Sequence, residues 1–443
     1  MRGCCAVTLP LPKVLQANSQ PVLVLVGGPS GSGKTSIINS LLSRYPGVYE
    51  RPLSYTTRPP RPGDTSGEFH HTTESHILEL LGANEIPTID RVYGNAYAMS
   101  SRSIDIIIES HRIPIKEVHP SNHAKLRRTF PSLLSVHITW IPGDRESTVE
   151  RSDRAAADGS YYASFSLAET DIVIWNDHKD SIDALADRLH HSLTSTLCEA
   201  DRFALPSEID RLNTAGYTGI AAEFSEAKRI TTRNFHEMST PFFEKSLQNR
   251  IADGACCAEI GPGRGWLRNS FTWPHVHYTA IDVSESMLKA QPADSTILAS
   301  ARAIPVRNAS FDAVFGSLID PYCYPAALCE IRRVLKTGGL FILSSPAAEW
   351  AYGLRDGDGL DKTRFVHDDG TIAEVFSYVF TLEELSLLLE RCGFSVLASD
   401  RLLGNALMLG REISPAITDS ASRLGVAVSD LPIVNLAVVQ RME

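Results

Sequence analysis

Residues 28–35 read Gly-Pro-Ser-Gly-Ser-Gly-Lys-Thr and directly follow the aliphatic residues 22–26. They match the GxxxxGK[ST] pattern and precede residues 37–42, whose apolar spacing predicts a helix. Glycines permit a tight turn whose backbone amides point inward at a phosphate, and the start of a helix adds partial positive charge. Lys34 can reach the terminal phosphates, and the Thr35 hydroxyl can hold Mg²⁺. The stretch therefore predicts a strand–loop–helix unit that binds a triphosphate.

A second glycine turn lies in the C-terminal half, where residues 256–265 read Cys-Cys-Ala-Glu-Ile-Gly-Pro-Gly-Arg-Gly. Seventeen residues after Gly265, Asp282 ends the short apolar stretch 278–281. This spacing places a carboxylate where it can accept hydrogen bonds from both ribose hydroxyls of a nucleoside lying across the turn. Dinucleotide-binding and S-adenosylmethionine-binding folds share this geometry, so the turn alone leaves both classes open.

Length and composition limit the remaining possibilities. A chain of 443 residues predicts at least two domains, and 43% hydrophobic with 21% charged residues is typical of a globular protein. The net charge of −10 disfavours nucleic acid as a partner. No apolar run approaches the ~20 residues of a membrane-spanning helix, and residues 1–12 lack the apolar centre expected of a secretory signal. The eight cysteines form no CxxC pair, which favours reduced thiols and a cytoplasmic location.

Residues 54–63, Ser-Tyr-Thr-Thr-Arg-Pro-Pro-Arg-Pro-Gly, identify the first domain more closely. Together with Tyr-Gly-Asn-Ala-Tyr at 93–97 and the stretch 172–177, they resemble the guanylate kinases over about residues 21–193. The resemblance implies a P-loop parallel sheet and ATP-dependent, Mg²⁺-dependent phosphorylation of a small molecule. It implies ATP binding by Gly28, Ser30, Gly31, Ser32, Gly33, Lys34 and Thr35. It also implies acceptor binding by Ser54, Arg58, Arg61, Tyr97 and Glu117, and catalysis by Lys34 with the lid arginines Arg151 and Arg154.

Three positions depart from the guanylate kinase pattern. Phe69 stands where the family has a tyrosine, Thr88 stands near the glutamate that reads the guanine edge, and Glu117 stands near its aspartate partner. Two arginines in the acceptor segment can still grip a phosphate. The sequence therefore predicts that the acceptor phosphate matters more than the base. A sugar phosphate acceptor and a non-catalytic nucleotide-sensing or scaffold domain stay open as alternatives.

Four segments of the C-terminal half resemble, in order, the class I S-adenosylmethionine-dependent methyltransferases that act on small molecules. They are residues 282–288, 304–305, 310–312 and 330–339, within a similarity that runs from about residue 224 to 441. The resemblance implies a Rossmann-like sheet and S-adenosylmethionine as cofactor. Its binding residues would be Glu259, Gly261, Gly263, Gly265, Asp282, Met287 and Ser300. Ser300 occupies the position where the family usually has an aspartate for the adenine amine, and a hydroxyl can accept the same bond.

The methyl acceptor leaves little trace in the sequence. Asp320-Pro321-Tyr322 resembles the (D/N)PPY of base and amide N-methyltransferases but lacks one proline, so a simple turn is favoured. Methyl transfer needs a base only if the nucleophile must lose a proton. His367, Asp320 and Glu349 are the candidates for that base.

We therefore predict a fused two-domain α/β transferase that acts on small molecules, with no membrane or nucleic-acid partner. Its expected divisions are an N-terminal extension 1–20, the kinase-like domain 21–193, a linker 194–223 and the methyltransferase domain 224–443. Thr381 and Glu384 predict a capping box for a helix that runs to Arg391 and is capped by Gly393. The last two strands are predicted at residues 394–400 and 433–440.

Overall fold

The computed structural model of the chain describes residues 22–61, 67–92, 94–141, 162, 165–177, 179–198, 202–221, 229–289, 291–355, 361–407 and 411–442. The chain forms two compact units, Met1–Leu205 and Pro206–Glu443. Within the described residues, no helix combines the length and the apolar character needed to cross a membrane.

The N-terminal unit is built on a parallel sheet of five strands. Their order is β2-β7-β1-β8-β9, and every neighbouring pair is parallel. A smaller sheet of order β4-β3-β6-β5 carries the acceptor segment. The strands are β1 Val24–Gly27, β2 Tyr49–Glu50, β3 Ser54–Thr56, β4 Phe69–His71, β5 Asp90–Val92, β6 Asn95–Met99, β7 Ile113–Glu117, β8 Leu134–Trp140 and β9 Ile172–Asn176. The helices are α1 Lys34–Arg44, α2 Glu74–Gly82, α3 Ser101–Glu109, α4 His123–Thr129 and α5 Ile182–Cys198.

Apolar side chains decide how these elements pack. Residues of α1 spaced three and four apart, Ile37, Ile38 and Leu41, are fully buried against the central strands. Strand β1 is buried along its whole length, as expected for a central strand covered on both faces. The loop after β1 therefore opens at the carboxyl edge of the sheet, where α/β folds place their ligands.

The C-terminal unit is a seven-stranded sheet of order β12-β11-β10-β13-β14-β18-β17. The first five strands are parallel, and β18 runs antiparallel to both of its neighbours. The strands are β10 Cys256–Ile260, β11 His277–Asp282, β12 Ser295–Leu298, β13 Phe311–Gly316, β14 Leu335–Pro346, β17 Phe394–Leu403 and β18 Pro432–Arg441, with the hairpin β15 Lys362–Val366 and β16 Ile372–Phe376. The helices are α6 Pro206–Ile220, α7 Ile230–Arg250, α8 Trp266–Ser270, α9 Glu285–Leu288, α10 Pro325–Val334, α11 Ala348–Tyr352, α12 Leu382–Arg391 and α13 Pro415–Leu424.

Strand order switches direction at β10, which lies between β11 and β13. This is the topological switch point at which open parallel sheets bind ligands. The predicted fold class, an α/β domain with a parallel sheet followed by an α/β domain with a Rossmann-like sheet, is confirmed.

Several local predictions are confirmed as well. Thr381 and Glu384 form a reciprocal capping box, α12 ends at Arg391, and Gly393 follows in the left-handed conformation with φ of 85°. The last two strands lie where the sequence places them. Half of the stretch 194–223 predicted as a linker forms helix α6, which belongs to the C-terminal unit.

Candidate active sites

The loop after β1 has a backbone that requires glycine. Gly28, Gly31 and Gly33 have φ angles of 140°, 85° and 93°, which L side chains rarely adopt. A Cβ atom on Gly28 would lie 2.0 Å from the carbonyl oxygen of Ile138. The loop can therefore close tightly enough for its amides to surround a phosphate.

Polar groups around this loop fit a bound triphosphate. The Lys34 Nζ donates to the carbonyl oxygens of Gly28 and Pro29, each at 2.7 Å, so the ammonium lies over the loop. Ser32 is fully buried, and among the described residues its Oγ has no hydrogen-bond partner. Asn176 supports the loop from β9, because its Nδ2 donates to the Ser32 carbonyl oxygen at 3.2 Å.

Of the acceptor residues predicted from the sequence, Ser54 and Tyr97 lie on the small sheet, Arg58 and Arg61 follow its strand β3, and Glu117 ends β7 of the parallel sheet. Ser54 pairs with Phe69 in the register of β3 and β4, and Thr56 pairs with Tyr97 in that of β3 and β6. Arg58 is buried, and its guanidinium lies 5.0 Å from the centre of the Phe69 ring. The ring that replaces the family tyrosine therefore stacks on the arginine that would grip the phosphate.

Glu117 occupies a charged cluster that the sequence did not reveal. Its Oε1 accepts from Arg51 Nη2 at 3.1 Å, while the neighbouring Lys116 donates to Glu68 at 2.9 Å and lies 4.3 Å above the Phe69 ring. Burial raises the pKa of Glu117, but the charges of Arg51 and Lys116 outweigh burial and hold that pKa below its usual value. The carboxylate is thus ionised and already paired.

Of the other predicted residues of this unit, the structure describes Arg61 and Thr88. Arg61 is exposed at the end of the acceptor segment, and Thr88 is half-buried. Arg151 and Arg154, the candidate lid arginines, lie outside the described residues, as do Tyr93 and residues 62–63 of the quoted segments.

In the C-terminal unit, the second glycine turn opens into a cavity of about 770 Å³. Gly261, Gly263 and Gly265 have φ angles of 64°, 54° and 79°. A Cβ atom on Gly263 would meet nothing within 4 Å, so this side of the turn is open to a ligand. On the other side, Tyr322 packs against Gly261 and its hydroxyl donates to the Ile260 carbonyl oxygen at 2.6 Å.

Six of the residues predicted to bind S-adenosylmethionine line this one cavity. They are Glu259, Gly261, Gly263, Asp282, Met287 and Ser300. The seventh, Gly265, ends the turn directly before α8. Asp282 ends β11, is buried, and accepts a hydrogen bond from the Ser284 backbone at 2.8 Å. Burial raises the pKa of Asp282 to about 6, while backbone hydrogen bonds work against that rise. A nucleoside with vicinal hydroxyls fits this carboxylate beside an open glycine turn.

Tyr278 and Asp210 are among the further side chains that contact the predicted set. The Tyr278 hydroxyl donates to the Glu259 carboxyl, whose pKa burial raises to about 8. Asp210, from helix α6, accepts a hydrogen bond from the Ser300 hydroxyl at 2.8 Å. Sequence reasoning missed Asp210, since it lies 90 residues from Ser300 within the predicted linker.

Asp320 also lines the cavity. It begins a single 3-10 turn, Asp320–Tyr322, so the predicted turn is present but lies within the site. The Ser377 hydroxyl donates to its carboxylate, and Arg355 Nη2 donates to the Ser377 hydroxyl at 2.7 Å. Burial raises the pKa of Asp320 to about 6, although Ser377 and Arg355 oppose the rise. This carboxyl can hold a proton near neutral pH.

The other two candidate bases lie elsewhere. Glu349 pairs with Arg401 at 3.6 Å, and His367 lies at the turn between β15 and β16. Neither belongs to the lining that the described residues give this cavity.

Comparison with known proteins finds a match for each of the two domains. A family model described as guanylate kinase matches residues 19–192, and a methyltransferase domain model matches residues 258–343. A guanylate kinase of Thiobacillus denitrificans is 30% identical over 172 residues, which cover 37% of this chain and 81% of the relative. This chain belongs to the guanylate kinase family. It joins a guanylate kinase domain to a methyltransferase domain.

Other guanylate kinases match over shorter lengths. One from Nostoc sp. is 33% identical over 117 residues, covering 26% of this chain and only 58% of the relative. Among solved structures, guanylate kinase from Anaplasma phagocytophilum is 20% identical with a TM-score of 0.33, covering 43% of this chain and 90% of its own. A Burkholderia thailandensis 1,6-didemethyltoxoflavin N1-methyltransferase is 16% identical with a TM-score of 0.35, covering 54% of this chain and 92% of its own.

Proposed function

We propose that this two-domain transferase methylates a small molecule with S-adenosylmethionine and phosphorylates a phosphorylated small molecule with ATP. The observation that carries the first half is one cavity that contains the open glycine turn, the Asp282 carboxylate and the Asp320 carboxyl. The second half rests on the glycine loop with Lys34 folded over it.

In the methyltransferase domain, S-adenosylmethionine would supply an activated methyl group. The glycine turn accommodates the methionine portion, and Asp282 accepts hydrogen bonds from the ribose hydroxyls. Asp320 receives the proton that a nitrogen or oxygen nucleophile loses as it is methylated. Ser377 and Arg355 orient this carboxyl through their hydrogen bonds. A carboxyl whose pKa is about 6 can accept a proton at neutral pH and return it to solvent.

In the kinase domain, Lys34 would contact the terminal phosphates of ATP, and Thr35 would hold Mg²⁺. Ser54, Arg58, Arg61 and Tyr97 would hold the acceptor phosphate. Recognition of the base is weaker, because the Glu117 carboxylate already accepts from Arg51. A nucleotide, a sugar phosphate or a related metabolite is therefore the expected acceptor class.

The Arg51–Glu117 pair and Thr88 also favour a second candidate function. In this alternative the kinase domain binds a nucleotide without transferring phosphate, and only the methyltransferase domain is active. Lys34 and Thr35 oppose the alternative, since binding alone has little need for a lysine–threonine pair that serves a Mg²⁺-bound triphosphate.

One experiment separates these candidates. The full-length protein is incubated with Mg²⁺, ATP, S-adenosylmethionine and a panel of nucleoside and sugar monophosphates, and products are identified by a mass gain of phosphate or methyl. The kinase is supported if Lys34→Ala abolishes phosphoryl transfer. The control is Lys245→Ala, a substitution of an exposed lysine in the other unit, which should leave the transfer unchanged. If wild type and Lys34→Ala turn over ATP equally slowly with every acceptor, the domain binds a nucleotide without transferring phosphate.

A further inference from the structure

The position of Ser300 follows from the register of the C-terminal sheet. Asp282 pairs with Leu298 of the adjacent strand β12, and the Ala299 backbone donates to the Asp282 carbonyl oxygen at 3.0 Å. Ser300 therefore lies two residues beyond Leu298, the residue of β12 that pairs with Asp282. It is half-buried and lines the same cavity. A nucleoside whose ribose lies at Asp282 thus has its base within reach of Ser300.

The hydrogen of the Ser300 hydroxyl is already used. The hydroxyl donates to Asp210 Oδ1 at 2.8 Å, and this oxygen accepts the bond. The Arg302 backbone N–H donates to the same Ser300 oxygen at 3.3 Å. A hydroxyl has one hydrogen and two lone pairs, so Ser300 retains one lone pair and no hydrogen for a ligand. Towards the cavity it is an acceptor.

Asp210 is itself held in place by two other side chains. Arg302 Nε lies 2.6 Å from its Oδ2, and the Tyr324 hydroxyl donates to its Oδ1 at 3.2 Å. Asp210 and Arg302 are both buried. An ion pair in such a setting fixes the direction of the carboxylate, and hence the direction in which the Ser300 hydroxyl points.

We propose that Asp210 is a positioning residue that keeps Ser300 as a hydrogen-bond acceptor, so that the cavity selects a base carrying an exocyclic amine. An adenine amine can donate to the remaining lone pair of Ser300. A carbonyl oxygen at the same place cannot donate, so two acceptor oxygens would repel each other. The proposal rests on the proposed binding of an S-adenosyl compound. It adds to that function a residue of helix α6 that determines which base is bound.

The test compares two ligands that differ at one group: S-adenosylhomocysteine and its deaminated analogue S-inosylhomocysteine. Both are titrated by calorimetry into the full-length protein. Wild type should prefer the adenine compound by roughly tenfold or more, because the analogue leaves a buried acceptor without a donor. Asp210→Asn can donate its amide to Ser300 and free the hydroxyl hydrogen, so the preference should fall by roughly tenfold. Asp419→Asn, an exposed carboxylate on α13, is the matched control and should retain it.

Ser300→Ala provides a second variant that leaves Asp210 paired with Arg302 and Tyr324. It should lose the same preference, and it decides the outcome if Asp210→Asn does not fold. Retention of the full wild-type preference by Ser300→Ala would overturn the inference while leaving S-adenosyl binding intact. Wild-type protein that binds neither compound would overturn the proposed methyltransferase function and this inference with it.

Discussion

Replacement of Asp282 should weaken the binding of S-adenosylmethionine about tenfold to a few hundredfold. The carboxylate is buried at the end of β11 and lines the cavity, so removing it leaves the ribose hydroxyls without a charged acceptor. Hydrogen bonds to a charged group contribute about 1.5–3 kcal/mol, and about 1.4 kcal/mol changes Kd tenfold. We expect this range for Asp282→Ala and an intermediate loss for Asp282→Asn, which keeps one acceptor without the charge.

The structure also predicts how this difference depends on pH. Because burial raises the pKa of Asp282 to about 6, the free carboxyl becomes protonated as pH falls from 8 to 5. If binding needs the charge, the wild-type Kd should rise by up to about tenfold for each pH unit below the pKa. The asparagine variant has no such group to titrate. The ratio of its Kd to that of wild type should therefore be largest near pH 8 and should shrink towards pH 5.

Calorimetric titration of the full-length protein with S-adenosylmethionine at pH 5, 6, 7 and 8 measures this ratio. Asp320 titrates in wild type and variant alike, so its contribution largely cancels in the ratio. The Asp282 charge adds to the rise in the pKa of Glu259, so the asparagine variant should also lower that pKa. Asp419→Asn is the control and should bind as wild type does. A ratio that stays constant between pH 5 and 8 would refute the role of the Asp282 charge, and an Asp282→Ala protein with unchanged Kd would refute the site.

Three further outcomes are expected. Gly28 has a φ of 140°, and Gly28→Ala would place a Cβ atom 2.0 Å from the Ile138 carbonyl oxygen. Chemical denaturation should therefore show that the free energy of unfolding of the N-terminal unit falls by about 1–3 kcal/mol. In phosphoryl transfer assays, removal of the acceptor phosphate should reduce the rate more than exchange of guanine for adenine, and a GMP preference of several orders of magnitude would contradict this. The thermal transitions of the two units should move in opposite directions as pH rises from 5 to 7, as scanning calorimetry can measure. Burial raises the pKa values of carboxyls in the C-terminal unit, whose native state then binds more protons than the unfolded state and loses stability with rising pH. Burial lowers the pKa values of histidines in the N-terminal unit, so its unfolded state binds more protons than its native state. The N-terminal unit therefore gains stability as pH rises. The carboxyls are those of Glu259, Asp282 and Asp320, and the histidines are His123 and His137. Transitions that shift together would count against the buried charges.

Ligand contacts made by one continuous stretch of chain follow from the amino-acid sequence alone. The loop at residues 28–35 combines turn, helix start, lysine and hydroxyl within eight residues, so its chemistry depends on local backbone geometry. The glycine turn at 261–265 and Asp282 follow the same logic, because a parallel strand–turn–helix–strand unit returns the chain to the neighbouring strand at a characteristic distance. Family resemblance extends the prediction to both domains, to the parallel sheet of the first and to the Rossmann-like sheet of the second.

Contacts between distant segments could not be predicted in this way. Asp210 meets Ser300 across 90 residues, and Arg51 meets Glu117 across 66. Asp320 enters the cavity only because its turn packs beside the glycine turn through Tyr322. Spacing along a chain constrains neighbours within one helix or one strand unit, whereas the pairing of side chains from separate elements depends on how apolar faces pack. The sequence thus determines which residues are candidates for contact with phosphate and ribose, and packing in three dimensions determines which charges surround them.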